Sequence, residues 1–202
     1  MKLTLTALTL AAALAAACSS VRYPQTYMLD LDRGIVTAPA PPAPMGALAI
    51  RDFACPDYLC DGRIVYRPTR TEVGHYEYHR WATTLRRTIT DSVADRLRAR
   101  RLFASVDSSQ NAPGARYTLS GAIERLEEVD DGSNVQALVV LSAQLVDVRS
   151  HTTVWRHSER TSEPVVTHDV AGVVDSLSTA TRRAIDALVD SLASQAAPSE
   201  TP

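Results

Sequence analysis

No apolar stretch in this 202-residue chain reaches the roughly 20 residues that a membrane-spanning helix needs. The longest, Leu3 to Ala17, holds 15. A glycine-rich phosphate loop, a Gly-x-Ser-x-Gly elbow and a His-Glu-x-x-His pair are all lacking. Nucleotide binding and nucleophilic catalysis therefore have no visible carrier. Charge of one sign is lacking too: 21 basic and 23 acidic side chains leave a formal charge of −2, without the basic excess of a nucleic-acid-binding domain. Lysine occurs only at Lys2, and every other basic residue is arginine. That bias reads as genome composition and carries no functional weight. Cysteine is confined to Cys18, Cys55 and Cys60, and what each can do depends on its compartment.

The first twenty residues supply that compartment. Lys2 precedes the apolar run, and Ala15-Ala16-Ala17-Cys18 closes it. A charged start, a short apolar centre and small residues before the cut make an export signal. A cysteine at the cut predicts a lipoprotein, with diacylglycerol on the Cys18 thiol; an ordinary signal peptide with a coincidental cysteine is the alternative. Removing residues 1–17 leaves 185 residues with a formal charge of −3, enough for one domain that buries about 70% of its unfolded surface.

In an oxidising compartment Cys55 and Cys60 are expected to pair. Closing that short loop contributes about 2 kcal/mol in the chain-entropy model. A metal site would need two further ligands, and only His75 and His79 follow nearby. On a strand those two stand about 13 Å apart, too far to share one ion. The spacing is not the Cys-x-x-Cys of redox motifs. No metal and no cofactor are expected.

The predicted order of elements begins with a short strand, Thr26 to Leu31. Next comes a proline-rich connection around Pro39, Pro41, Pro42 and Pro44, which favours an extended chain. Strands follow at Leu48–Phe53, Arg63–Tyr66 and Val73–Arg80, with Tyr76 and Tyr78 expected on one face and His75, Glu77 and His79 on the other. Trp81, Leu85, Ile89, Val93 and Leu97 recur every four residues, predicting an amphipathic helix from Trp81 to about Arg101. Three alternating stretches, Tyr117–Glu127, Val135–Val148 and Thr152–Arg160, read as a meander joined by Asp130–Asn134 and a tight turn at Ser150-His151. The middle stretch is apolar on both faces, which predicts a central strand. A second amphipathic helix runs from Val170 to about Ala193, capped by Asp169. This order describes an α+β fold, a two-layer sandwich of a largely antiparallel sheet with two amphipathic helices packed on it. The expected divisions are a cleaved signal over 1–17, a lipidated N-terminus with the first strand and proline-rich connection over 18–46, a globular domain over 47–195, and a disordered tail over 196–202.

Four blocks in this order behind a lipidation cysteine resemble the ABC-type transport auxiliary lipoproteins, including the paraquat-inducible C type. They are Thr26-Tyr27-Met28-Leu29; Pro56-Asp57-Tyr58-Leu59 leading into Arg63-Ile64-Val65-Tyr66-Arg67; Tyr76-Glu77-Tyr78-His79-Arg80-Trp81; and Leu145-Val146-Asp147-Val148-Arg149 with Val154-Trp155. The Cys55 and Cys60 pair departs from the family's usual loop. The resemblance implies a non-enzymatic, periplasm-facing lipoprotein beside an ABC permease, its ATPase and a mammalian-cell-entry domain protein that conducts phospholipid or related lipids. It implies no catalytic residues. Ser19, in place of the aspartate that commonly retains lipoproteins at the inner membrane, points to the outer membrane.

Tyr76, Tyr78 and Trp81 are the candidate partner-binding residues. Trp81, in phase with the helix stripe, is expected to anchor that helix to the sheet; for the two tyrosines core and interface stand equal, since both environments favour tyrosine. A different function class stays open: a lipoprotein activator or assembly factor for a cell-wall synthase or secretion pore. Homo-oligomerisation through an exposed strand such as Thr152–Arg160 is also open, although Arg156, Glu159 and Arg160 suit a guarded edge.

Overall fold

The computed structural model describes residues 23–32, 34–35, 37, 44–130, 132, 134–167 and 169–196. The signal segment, Cys18, Ser19, most of the proline-rich connection and residues 197–202 lie outside them. Eight strands form one mixed sheet: β1 (Gln25–Tyr27), β2 (Leu48–Ile50), β3 (Arg63–Arg67), β4 (Gly74–Trp81), β5 (Val106–Ser108), β6 (Tyr117–Asp130), β7 (Val135–Asp147) and β8 (Thr152–Pro164). The helices are α1 (Asp57–Cys60), α2 (Leu85–Arg100) and α3 (Val170–Ala196). The α+β architecture is the expected one, with α2 and α3 layered on one face of the sheet.

The three long strands form the expected antiparallel meander, β6 with β7 and β7 with β8. The short strands join it in parallel: β2 and β3 both run alongside β6, β5 lies beside β2, and β1 beside β4. Because β7 occupies one edge of β6 along its length, β2 and β3 share the other edge. After β2 the chain stays at that edge, with Arg51 and Ala54 donating N–H bonds to Leu119 and Gly121. It then leaves through α1 and returns as β3 opposite Glu128 and Val129. The hub of the sheet is thus β6, and β7, expected at the centre, lies one strand from the β8 edge. Its two apolar faces have separate partners. Ala137, Val139, Leu141, Ala143 and Leu145 join the core under the helices, while Leu138 and Val140 are buried on the opposite face.

The helix stripe is as read, with Leu85, Ile89, Val93 and Leu97 all buried. Its start is not. Trp81 ends β4, where its N–H bonds the carbonyl of Gly62 and its register partner is Tyr27, and α2 begins four residues later after Thr84. The four-residue spacing of Trp81 from Leu85 matches the helix period by coincidence, and sheet pairing decides its backbone. Asp169 caps α3 as expected, its carboxylate accepting the Gly172 N–H at 2.8 Å. At the β7–β8 turn, Asp147 accepts the N–H groups of Arg149 and Ser150, and His151 takes a left-handed φ of 56°. Burial works to raise the Asp147 carboxyl, but those N–H bonds and the Arg116 guanidinium outweigh it and hold the group below its ordinary range.

The chain after β1 crosses the helix layer. Leu29 and Leu31 enter the core, the Asp30 N–H bonds Ser178 of α3, and Arg182 donates to the Asp30 carbonyl. The buried Arg96 of α2 gathers Asp186 at 2.6 Å, the Ser92 hydroxyl at 2.6 Å and the Leu31 carbonyl at 2.9 Å. One guanidinium therefore ties both helices to the N-terminal segment.

Gly121 of β6 makes the junction with the second-edge chain possible, since a Cβ there would stand 2.4 Å from the Phe53 ring and 2.7 Å from the Ser142 carbonyl oxygen. Gly121→Ala is expected to destabilise the domain by about 2 kcal/mol, lowering Tm by about 4–8 °C in a thermal melt. An unchanged Tm would show that Phe53 does not pack there.

Candidate functional site

The sequence singles out the corner where β4 turns toward α2. The register of β3 against β4 slips between the Arg63–Arg80 and Val65–His75 pairs. This irregularity breaks the expected alternation, so Tyr76 and Tyr78 do not share an environment. Tyr76 is half-buried; its hydroxyl donates to Glu128 Oε2 at 2.5 Å, and its ring meets Tyr66 at 5.0 Å and His79 at 5.8 Å. Burial pushes its phenol well above the ordinary value, and the Glu128 carboxylate adds to the shift. Tyr78 is 37% exposed and Trp81 only 8%. Among the three candidates only Tyr78 presents much of its side chain outward.

The histidines have local partners. His75 Nε2 lies 2.7 Å from the Tyr58 carbonyl oxygen, and His79 Nδ1 lies 3.1 Å from the Tyr27 hydroxyl. Cys55 and Cys60 are joined by a disulfide that closes the loop containing α1. Arg86 of α2 donates to the Cys55 carbonyl. The closed loop thus links the two parts of the chain that share one edge of β6. Among the described residues no cluster of three or more His, Cys, Asp or Glu side chains could hold a metal, and no helix is long and apolar enough to cross a membrane.

A second site, absent from the sequence reading, lies on the helix-free face of the sheet. Glu127, with 0% exposure, accepts from Arg67 Nε at 2.9 Å and Arg67 Nη2 at 3.1 Å, and from Arg125. The hydrogen bond and charge of Glu127 hold the Arg67 guanidinium still more firmly protonated than usual. These two arginines, with Arg70, Arg160 and Asp130, line a groove of about 1040 Å³. Its arginines come from β3, the following loop, β6 and β8, and no local motif connects them. The available signal was the second apolar face of the middle strand, where Leu138 and Val140 needed cover that the two helices could not supply.

Trp81→Ala is expected to cost about 3–5 kcal/mol, whereas Tyr78→Ala should stay within about 1 kcal/mol, both read by chemical denaturation. Equal losses would place Tyr78 in the core and remove it as a contact residue.

Among solved structures, the chain is similar to protein XCC0632 from Xanthomonas campestris, with 22% identity and a TM-score of 0.67 over 82% of this chain and 92% of that one. A second, an uncharacterised protein, shares 14% identity with a TM-score of 0.65 over 84% and 99% of the two chains. The hypothetical protein CT253 from Chlamydia trachomatis shares 8% identity with a TM-score of 0.54 over 75% and 98%. At these identities the likeness is one of fold. A comparison with curated proteins gives no match. The family described as the ABC-type transport auxiliary lipoprotein component matches residues 27–191, from the end of β1 into the last turns of α3. With most of the chain matched across both layers of the fold, this protein belongs to the ABC-type transport auxiliary lipoprotein component family.

Proposed function

We propose that residues 1–17 are cleaved, that acyl chains on Cys18 anchor the mature protein, and that its domain faces the periplasm as a non-catalytic docking component. Its partners in this reading are an ABC permease, an ATPase and a mammalian-cell-entry domain protein that together move phospholipid or related lipids across the envelope. The observation that carries the reading is the family match over residues 27–191. Ser19 supports an outer-membrane anchor, because it is not the aspartate associated with inner-membrane retention.

The placement of β1 supports a close tether. Gln25 lies seven positions after Cys18, a reach of at most about 25 Å, so an anchor there holds the β1–β4 edge near the bilayer surface. Two or more acyl chains suffice for stable attachment. Tyr78 lies on the neighbouring strand β4 and is the retained candidate for partner contact. The buried polar side chains suit a structural role: Arg96, Glu127, Ser178 and Thr181 all spend hydrogen bonds inside the fold.

Crosslinked recovery of the affinity-tagged lipoprotein from its native envelope, with mass spectrometry and a Cys18→Ala control, tests the proposal. Copurification of a mammalian-cell-entry protein with a permease and an ATPase, lost or reduced in Cys18→Ala, is the expected result. Recovery of a cell-wall synthase or a secretin instead would overturn it and leave the assembly-factor reading in its place.

A further inference from the structure

The arginine groove on the helix-free face is built by the sheet register. Arg125 of β6 pairs with Val140 of β7, and Val140 pairs with Arg160 of β8. The two arginines therefore flank one valine on a single rung, with strand axes about 10 Å apart. The next rung places Glu127 beside Leu138, and Arg67 of β3 stands opposite Val129. Leu138 and Val140 are 4% and 9% exposed although no helix covers this face. The groove thus sets Pro68 and Val129 beside its guanidinium groups, while Leu138 and Val140 lie buried in the same face of the sheet.

The four arginines are not equivalent. Both Glu127 oxygens are occupied by Arg67 and Arg125, which fixes those two side chains and neutralises one charge. Arg70 and Arg160 are exposed and make no hydrogen bond or ion pair among the described residues. The carboxylate of Asp130, which also lines the groove, accepts the Gly132 N–H. Two unpaired cations beside two fixed ones leave a net positive groove. Guanidinium groups present paired donors matched to phosphate oxygens. At about 1040 Å³ the space far exceeds a lone anion and suits a phosphate attached to a larger body.

We infer that this groove binds a phosphate group carried on an amphipathic ligand, the chemistry of an anionic phospholipid headgroup, with Arg70 and Arg160 as ligating residues. Arg67 and Arg125, locked on Glu127, set the positive field, and Pro68 and Val129 provide apolar lining. The inference deepens the transport reading and rests on it only for the source of the phosphate. Its test needs no transporter, so either idea can fail alone.

The test is calorimetric titration of the acylated, full-length mature protein in non-ionic detergent. The probes are dihexanoyl phosphatidylglycerol, dihexanoyl phosphatidylcholine, inorganic phosphate and an oligoglutamate peptide. Binding of the phosphatidylglycerol in preference to the zwitterionic lipid is expected, with a loss of about tenfold or more in R70Q/R160Q. The Tm of that variant should hold, because neither side chain supports the fold. Inorganic phosphate binding as tightly as the lipid, and equally lost in the variant, would support the phosphate chemistry and assign its source to free phosphate. Absence of heat with the lipid and inorganic phosphate, unchanged affinity in the variant, or tighter binding of oligoglutamate would overturn the inference, the last in favour of an acidic protein segment.

Discussion

Strand β6 must have both backbone edges filled, and the rest of the molecule is arranged by how that happens. An unpaired buried peptide group costs about as much as a lost hydrogen bond. One edge is filled by β7 from Tyr117 to Asp130. The other is filled in pieces by β2, the Arg51–Ala54 segment and β3. Between the pieces the chain bulges away as the Cys55–Cys60 loop. A disulfide is well placed there, since it restrains the part of the second edge that the ladder does not. Phe53, seated over Gly121, closes the junction from the core side.

The two faces of the sheet then diverge. Under α2 and α3 the core is apolar, and its main buried charge, Arg96, is satisfied by Asp186, Ser92 and Leu31. That guanidinium also fastens the N-terminal segment across the helices, so the end of the chain nearest Cys18 is held to the fold. On the opposite face the packing is thinner and charged. Glu127 is buried there by two arginines. A lone carboxylate in that place would cost several kcal/mol, so Arg67 and Arg125 are as much structural as they are part of a positive surface.

The periodic parts of this arrangement were legible in the chain. The Leu85, Ile89, Val93, Leu97 stripe, the Asp169 cap, the three-strand meander and the cysteine pair depend on neighbours within a few residues or on simple alternation. What depended on distant pairing was not legible. Trp81 fits the helix period, yet its N–H belongs to Gly62 and its register partner is Tyr27. The three-residue strands β1 and β5 carry too little pattern to announce a parallel neighbour, and β5 was missed altogether. Tyr76 and Tyr78 alternate in sequence, but the slipped register between β3 and β4 separates their surroundings. The arginine groove required β3, β6 and β8 to be aligned before Arg67, Arg125 and Arg160 could be seen as neighbours.

Family membership, the short spacer before β1 and a fold whose buried polar groups are internally committed combine into one account. As proposed above, the protein is a tethered accessory whose surfaces carry a role in lipid movement. Transfer of isotopically labelled phospholipid between the two membranes, followed in cells lacking this chain, tests that claim most directly. The account predicts slowed transfer, restored by the wild-type chain and not by Cys18→Ala. Transfer at the wild-type rate in the deletion strain would contradict it.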